Sequence, residues 1–183
     1  MGHDVFISYS SKDKPTADAV CATLESGGVR CWIAPRDILP GMDWGEAIVD
    51  GIKRCRVMIL VFSSNANSSP QIRREVERAV NKGVPIIPFR IEEVMPTRSL
   101  EYFISTPHWM DAMTPPLEKH LQKLTEVVLT LLSKLEDRVT KTVAAPPSPV
   151  ARAKQWIQAE VIPRLSRDRG VPRPAAAATG SAA

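Results

Sequence analysis

Six consecutive apolar residues, Val57-Met58-Ile59-Leu60-Val61-Phe62, constrain this chain more than any other feature. A β-strand sends alternate side chains to opposite faces, so a strand without a polar position must be covered on both. The run is far shorter than the roughly 20 residues that cross a bilayer. It therefore predicts a central strand sandwiched between helices. Asp4-Val5-Phe6-Ile7-Ser8-Tyr9 is nearly as apolar and predicts a second inner strand. Around these two, β-branched runs alternate with amphipathic stretches. The pattern predicts strands over 4–9, 29–33, 57–63, 85–91 and 107–110, and helices over 14–26, 44–54, 71–82, 98–104 and 116–135. Strict alternation of this kind belongs to a mostly parallel, helix-covered sheet.

Punctuation agrees with these boundaries. Gly27 and Gly28 stop the first helix, and Gly83 follows Lys82 where a left-handed cap belongs. Ser69-Pro70 offers a capping hydroxyl followed by proline at the first helical position. In the last helix Leu117, Leu121, Leu124, Val128, Leu131, Leu132 and Leu135 recur at steps of three and four, the stripe of a core-facing helix.

The chain divides into a body over 1–140, an Ala/Pro-rich linker over 141–150 and a tail over 151–183. In the tail, 151–164 reads as a short basic helix around Trp156, Ile157 and Val161, followed by a disordered Pro/Ala-rich end. The net charge of +4 sits entirely beyond residue 141, where six basic groups face two acidic ones. The body is neutral, which argues against nucleic acid as its ligand. No membrane span is readable, and Met1-Gly2-His3-Asp4 carries no secretory leader pattern. Cys21, Cys31 and Cys55 are odd in number and lack paired spacing, so they read as separate buried thiols of a cytoplasmic protein. Neither they nor the scattered His3, His108 and His120 have the spacing of zinc ligands, and no metal site is expected.

Several chemistries are absent. There is no Gly-x-x-x-x-Gly-Lys loop, no Gly-x-Gly-x-x-Gly after the first strand and no Gly-x-Ser-x-Gly elbow. A phosphoreceiver domain shares the architecture, but it needs acids after the first strand and an aspartate ending the third. Here those places hold Ser8-Tyr9-Ser10-Ser11 and Ser63-Ser64. Parallel sheets bind ligands at the carboxyl ends of their strands. The loops there gather Ser10, Ser11, Ser63, Ser64 and Trp44, beside the helix over 71–82. On that helix Ile72, Val76, Ala79 and Val80 share one face, and Glu75 lies on its border. Such a carboxylate can lean over the strand ends, or it can remain a solvated partner of Arg74 or Arg78.

Two segments carry a family resemblance. Asp4-Val5-Phe6-Ile7-Ser8-Tyr9 resembles the first signature box of Toll/interleukin-1 receptor (TIR) domains. Gly28-Val29-Arg30-Cys31-Trp32, with Arg36-Asp37-Ile38-Leu39-Pro40-Gly41, resembles the second box and its BB loop, and His108-Trp109 is similar to the weak third box. The resemblance, to stand-alone prokaryotic-type TIR proteins in particular, spans about 3–135. It implies an α/β, flavodoxin-like fold with a five-stranded parallel sheet and helices on both faces. Many TIR domains hydrolyse or cyclise NAD+, using a glutamate that ends a Trp-Cys-x-x-Glu motif. Gln71-Ile72-Arg73-Arg74-Glu75 keeps the glutamate and replaces the Trp and Cys. The resemblance thus implies Glu75 as the catalytic residue, with NAD+ as substrate and no further cofactor. It implies that Tyr9, Ser10, Ser11 and Trp44 contact the nucleotide, although Trp44 also reads as a helix-anchoring core residue. Pro35, Arg36, Asp37, Pro40 and Gly41 become the BB-loop contacts through which copies assemble.

Three functions follow as expectations. The first is an NAD+ nucleosidase of signalling or defence, releasing nicotinamide with ADP-ribose or a cyclic product, and active when copies assemble. The second is a non-catalytic adaptor that binds other TIR domains. The third is a domain that senses nucleotides without turnover.

Overall fold

The computed structural model describes residues 2–105 and 108–144, with side chains of the last helix to residue 138. The expected tail helix and all but the start of the expected linker lie outside the described residues. Five parallel strands form one sheet: β1 (Val5–Ser8), β2 (Cys31–Ile33), β3 (Val57–Phe62), β4 (Ile86–Arg90) and β5 (Met110–Asp111). Their order is β2-β1-β3-β4-β5. Among the described residues six α-helices connect and cover them: α1 (Lys14–Ser26), α2 (Trp44–Arg54), α3 (Ser64–Asn67), α4 (Pro70–Asn81), α5 (Arg98–Ile104) and α6 (Leu117–Ala144). The alternation predicts the helix-covered parallel sheet, and the TIR resemblance implies the flavodoxin-like α/β form that it takes.

The apolar run lies where its composition demands. β3 pairs with β1 in the register Val57 opposite Val5, and with β4 in the register Phe62 opposite Arg90. All six of its residues are fully buried. Their alternation builds two cores. Val57, Ile59 and Val61 face α1 and α6, whereas Met58, Leu60 and Phe62 face α2, α4 and α5. The expected leucine stripe of α6 supplies Leu121, Leu124, Val128 and Leu132 to the first core. On the second face α2 comes close to the sheet at Gly51, where a Cβ would stand 2.9 Å from the Trp32 ring.

Differences from expectation are local. The predicted loop over 63–70 contains α3, a helix too short for a periodic signal, capped by Ser63 accepting from the Ala66 N–H. α6 continues past 135 to Ala144, four residues into the expected linker, because no glycine or proline interrupts it before Pro146. The last strand is confined to two residues, paired with Phe89 and Arg90.

β1 lies between β2 and β3, so chain order reverses at its carboxyl end. Connections leave β1 in one direction and β3 in the other, which opens a crevice at that end. Ser8 is the last residue of β1.

Candidate active site

The crevice is built from three local stops. β1 gives way to Tyr9 and Ser10, whose hydroxyl accepts from the Lys12 N–H and starts a single 3-10 turn over Ser11–Asp13. α4 begins with Ser69 accepting from the Ile72 N–H and with Pro70 pre-set for helix. α2 begins with Asp43, whose carboxylate accepts from the Glu46 N–H at 2.8 Å. Trp44 is thereby placed at the first helical position.

On α4, Ile72, Val76 and Ala79 seat against the sheet and carry Glu75 with them. Its side chain is only 7% exposed. The Ser8 hydroxyl donates to Oε2 at 2.7 Å, and the Gln71 side-chain amide donates to Oε1 at 3.0 Å. Neither partner is charged, so the ion pair with Arg74 or Arg78 that the helical spacing allowed is replaced by two neutral donors. Burial pushes the Glu75 carboxyl above its ordinary value, and the hydrogen bonds from Ser8 and Gln71 pull the other way.

This carboxylate lines a cleft of about 410 Å³. Of the residues predicted to contact nucleotide, Tyr9, Ser10, Ser11 and Trp44 all line it, and so does Pro35 from the BB loop. Trp44 is 49% exposed, so it is no core anchor. The Tyr9 hydroxyl donates to the Ala34 carbonyl, tying the exit of β1 to that of β2. Burial raises the Tyr9 pKa. The apolar floor is Phe6 stacked on Trp32, with ring centroids 4.6 Å apart and planes 10° from parallel. A second groove of about 720 Å³ between α2 and α4 shares Trp44, Ile48, Gln71 and Glu75 with the first, and Arg74 and Arg78 line it.

Other expected residues lie elsewhere. Ser63 donates to Asp13 at 2.6 Å, and the Ser64 N–H donates to Glu92 at 2.8 Å. Both are committed to holding loops together, away from the cleft lining. Arg36 folds back on α1 and β2, reaching Glu25 at 2.9 Å and the Cys31 carbonyl at 2.9 Å. Asp37 accepts from the Ile33 N–H at 2.7 Å and so finishes β2. Arg36 and Asp37 thus brace the loop, while its tip presents Pro40, Gly41 and the apolar Leu39 and Met42, 66% and 48% exposed. Sequence reasoning missed Ser8, Gln71 and Lys14 as lining or bracing residues. Ser8 alone had a legible signal, a hydroxyl at the mouth of an apolar inner strand.

The TIR domain family profile matches residues 5–125. No curated protein matches the chain. Solved structures with the same fold include the TIR domain of the Toll-related receptor TRR-2 from Hydra magnipapillata, at 20% identity and a TM-score of 0.59, covering 69% of this chain and 98% of that one. The TIR domains of the activated Roq1 resistosome, which directly recognises the pathogen effector XopQ, align at 14% identity and a TM-score of 0.58, over 69% and 99% of the two chains. A metazoan TIR-STING receptor from C. gigas in complex with 2′,3′-cGAMP aligns at 24% identity and a TM-score of 0.57. That alignment covers 72% of this chain and 39% of the receptor. At these identities the likeness is one of fold.

Proposed function

The chain belongs to the TIR domain family, and from that premise we propose that it is an NAD+ nucleosidase with Glu75 as its catalytic carboxylate. The supporting observation is a buried glutamate with two neutral donors, at the mouth of the sheet and within a cleft that also holds Trp44. Each carboxylate oxygen has two acceptor directions. Ser8 and Gln71 use one on each oxygen, leaving two for a pair of adjacent ribose hydroxyls. Nicotinamide leaves as a neutral ring from a cationic one, so no acid need protonate it. The work is to stabilise positive charge developing on the ribose, and an anion fixed in a desolvated site does so strongly. Trp44 offers a flat apolar surface to the nicotinamide ring, and Ser10, Ser11 and Lys14 offer polar contacts for the remaining nucleotide. Water attack yields ADP-ribose; attack by an adenine nitrogen yields a cyclic product. Mass spectrometry of NAD+ incubated with concentrated protein tests the reading, with nicotinamide and one of those two products expected. Intact NAD+ at every protein concentration would reject it.

This chemistry requires the ionised carboxylate. Activity therefore rises with pH along an acid limb displaced above the ordinary glutamate value of 4.5. Ser8→Ala removes a donor that stabilises the anion, so the limb moves to still higher pH, and activity near neutrality falls. A pH profile of kcat/KM for both proteins checks the direction of the shift. An unchanged limb would mean that Ser8 does not tune this group.

Self-assembly through the loop over 35–41 is the second part of the proposal, with other copies of the domain as partners. Its support is the exposure of Leu39 and Met42 beside Pro40 on a loop braced from behind by Arg36 and Asp37. A Leu39→Ser/Met42→Ser double variant should stay monomeric at concentrations where the wild type associates, as read by light scattering. Cleavage of NAD+ should lose its concentration dependence in the same variant. Equal association of the two proteins would remove the loop from the interface. We place the protein in the cytoplasm, a reading supported by its three free thiols. Among the described residues no helix is long and apolar enough to cross a membrane.

A further inference from the structure

On the opposite face of the sheet from Glu75, α1 and β2 bring together three donors that the sequence keeps apart. Cys21 and Glu25 are one turn apart on α1, and Cys31 opens β2. The two sulfurs and a Glu25 carboxylate oxygen all lie within 4.8 Å of one another. We propose that these three residues form a binding site for one zinc-type divalent cation, which enters by displacing one arm of the Arg36 guanidinium.

The second observation is that a cation already occupies this place. Arg36 Nη1 donates to Cys21 Sγ at 3.3 Å and to Glu25 Oε2 at 3.0 Å. Its Nη2 is held separately, by the Cys31 carbonyl at 2.9 Å and Asp37 at 2.9 Å. A small rotation of the guanidinium therefore frees the donors without detaching the side chain. Two thiolates and a carboxylate suit zinc, whose tetrahedral ligands stand about 3.5–3.8 Å apart, so closure of about 1 Å completes the set. A recess of about 460 Å³ lined by His3, Glu25, Cys31 and Arg36 provides an entry path. Water from the recess would take the fourth position. Metal binding releases the thiol protons to solvent. Because Arg36 braces the loop over 35–41, occupancy unfastens that loop from α1. The site stands independently of the activity proposed for Glu75.

The test uses the full chain, freed of metal and kept reduced with a phosphine. Titration with Zn2+ against a chromophoric chelator should show one equivalent bound, and Co2+ should give a thiolate-to-metal charge-transfer band. Cys21→Ser and Cys31→Ser should each abolish both signals, whereas Cys55→Ser should bind as the wild type does. Arg36→Gln removes the competing cation and should tighten Zn2+ binding by up to about fivefold, the worth of one exposed ion pair. Absence of the Co2+ band in the wild type would overturn the site, whatever the variants do. Unchanged or weaker binding by Arg36→Gln would overturn the exchange with the guanidinium.

Discussion

Glu75→Gln is expected to reduce NAD+ cleavage by at least about 10²- to 10³-fold, the usual consequence of removing one preorganised electrostatic stabiliser of a transition state. Glutamine keeps the volume of the side chain and one oxygen that accepts from Ser8 or Gln71. It loses the negative charge that offsets the positive ribose. The loss should therefore appear in kcat with the fold intact, and nicotinamide release followed by chromatography reads it directly. If Glu75→Gln cleaved NAD+ at the wild-type rate, the proposed chemistry would be wrong, however well the cleft bound nucleotide.

The same substitution carries a stability signature whose sign can be worked out. The folded-state pKa of Glu75 lies above its unfolded value because burial penalises the charged form. The native state then binds more protons than the unfolded state between those two values, so stability falls as pH rises through the folded pKa. Above its folded pKa the wild type holds a desolvated anion, and glutamine removes that cost. The variant should melt at an equal or higher temperature than the wild type at pH 8, and this advantage should vanish below about pH 4.5, where the carboxyl is neutral in both states. Thermal melts at the two pH values check the sign. An inactive but more stable protein is the pattern expected of a buried functional charge.

The second large effect is expected from Phe6→Ala, which should cost about 3–5 kcal/mol of folding free energy. Phe6 is 1% exposed in an inner strand, and it packs among Met58, Leu60, Ile52 and Trp32 in the core beneath α2 and α4. Its ring is the stacking partner of Trp32, and both rings line the cleft beside Glu75. Truncation opens a void under the cleft floor and frees the indole to tilt into it. Gly51 is pressed against the same indole, so α2 and Trp44 at its start should shift as well. Chemical denaturation should show a lower midpoint with an unchanged slope. Phe6→Leu, which keeps most of the volume, should recover much of the loss. A Phe6→Ala protein within about 1 kcal/mol of the wild type would mean that the core had closed around the site, contrary to the close packing seen here.

Much of the fold was legible because its signals are local. The apolar run over 57–62 needs helices on both sides, and the steps of three and four in α6 need one buried face. Serine before proline starts α4, and Gly83, at a φ of +69°, ends it. Each inference uses neighbours within one or two helical turns. The short α3 escaped because four residues hold no period, and the end of α6 was set too early because the stripe fades before a breaker appears.

The candidate site divides differently. Its loops were legible, since a parallel sheet presents one set of strand ends and Ser10, Ser11 and Trp44 sit in those loops. The border position of Glu75 was legible too. Its environment was not, because helical spacing offered Arg74 and Arg78 as partners, and the carboxylate instead meets Ser8, 67 residues away. Likewise nothing local pointed to the partners of Arg36 within its own chain, Glu25 and the Cys31 carbonyl. By itself the sequence determined where the strands and the longer helices lie, that they form a helix-covered parallel sheet, and which loops gather at its mouth. Only the tertiary structure decided the charge environment of Glu75 and the convergence of Cys21, Glu25 and Cys31. Periodicity records which face of an element is apolar, but a polar group's partners depend on which distant residue reaches it once every face is packed.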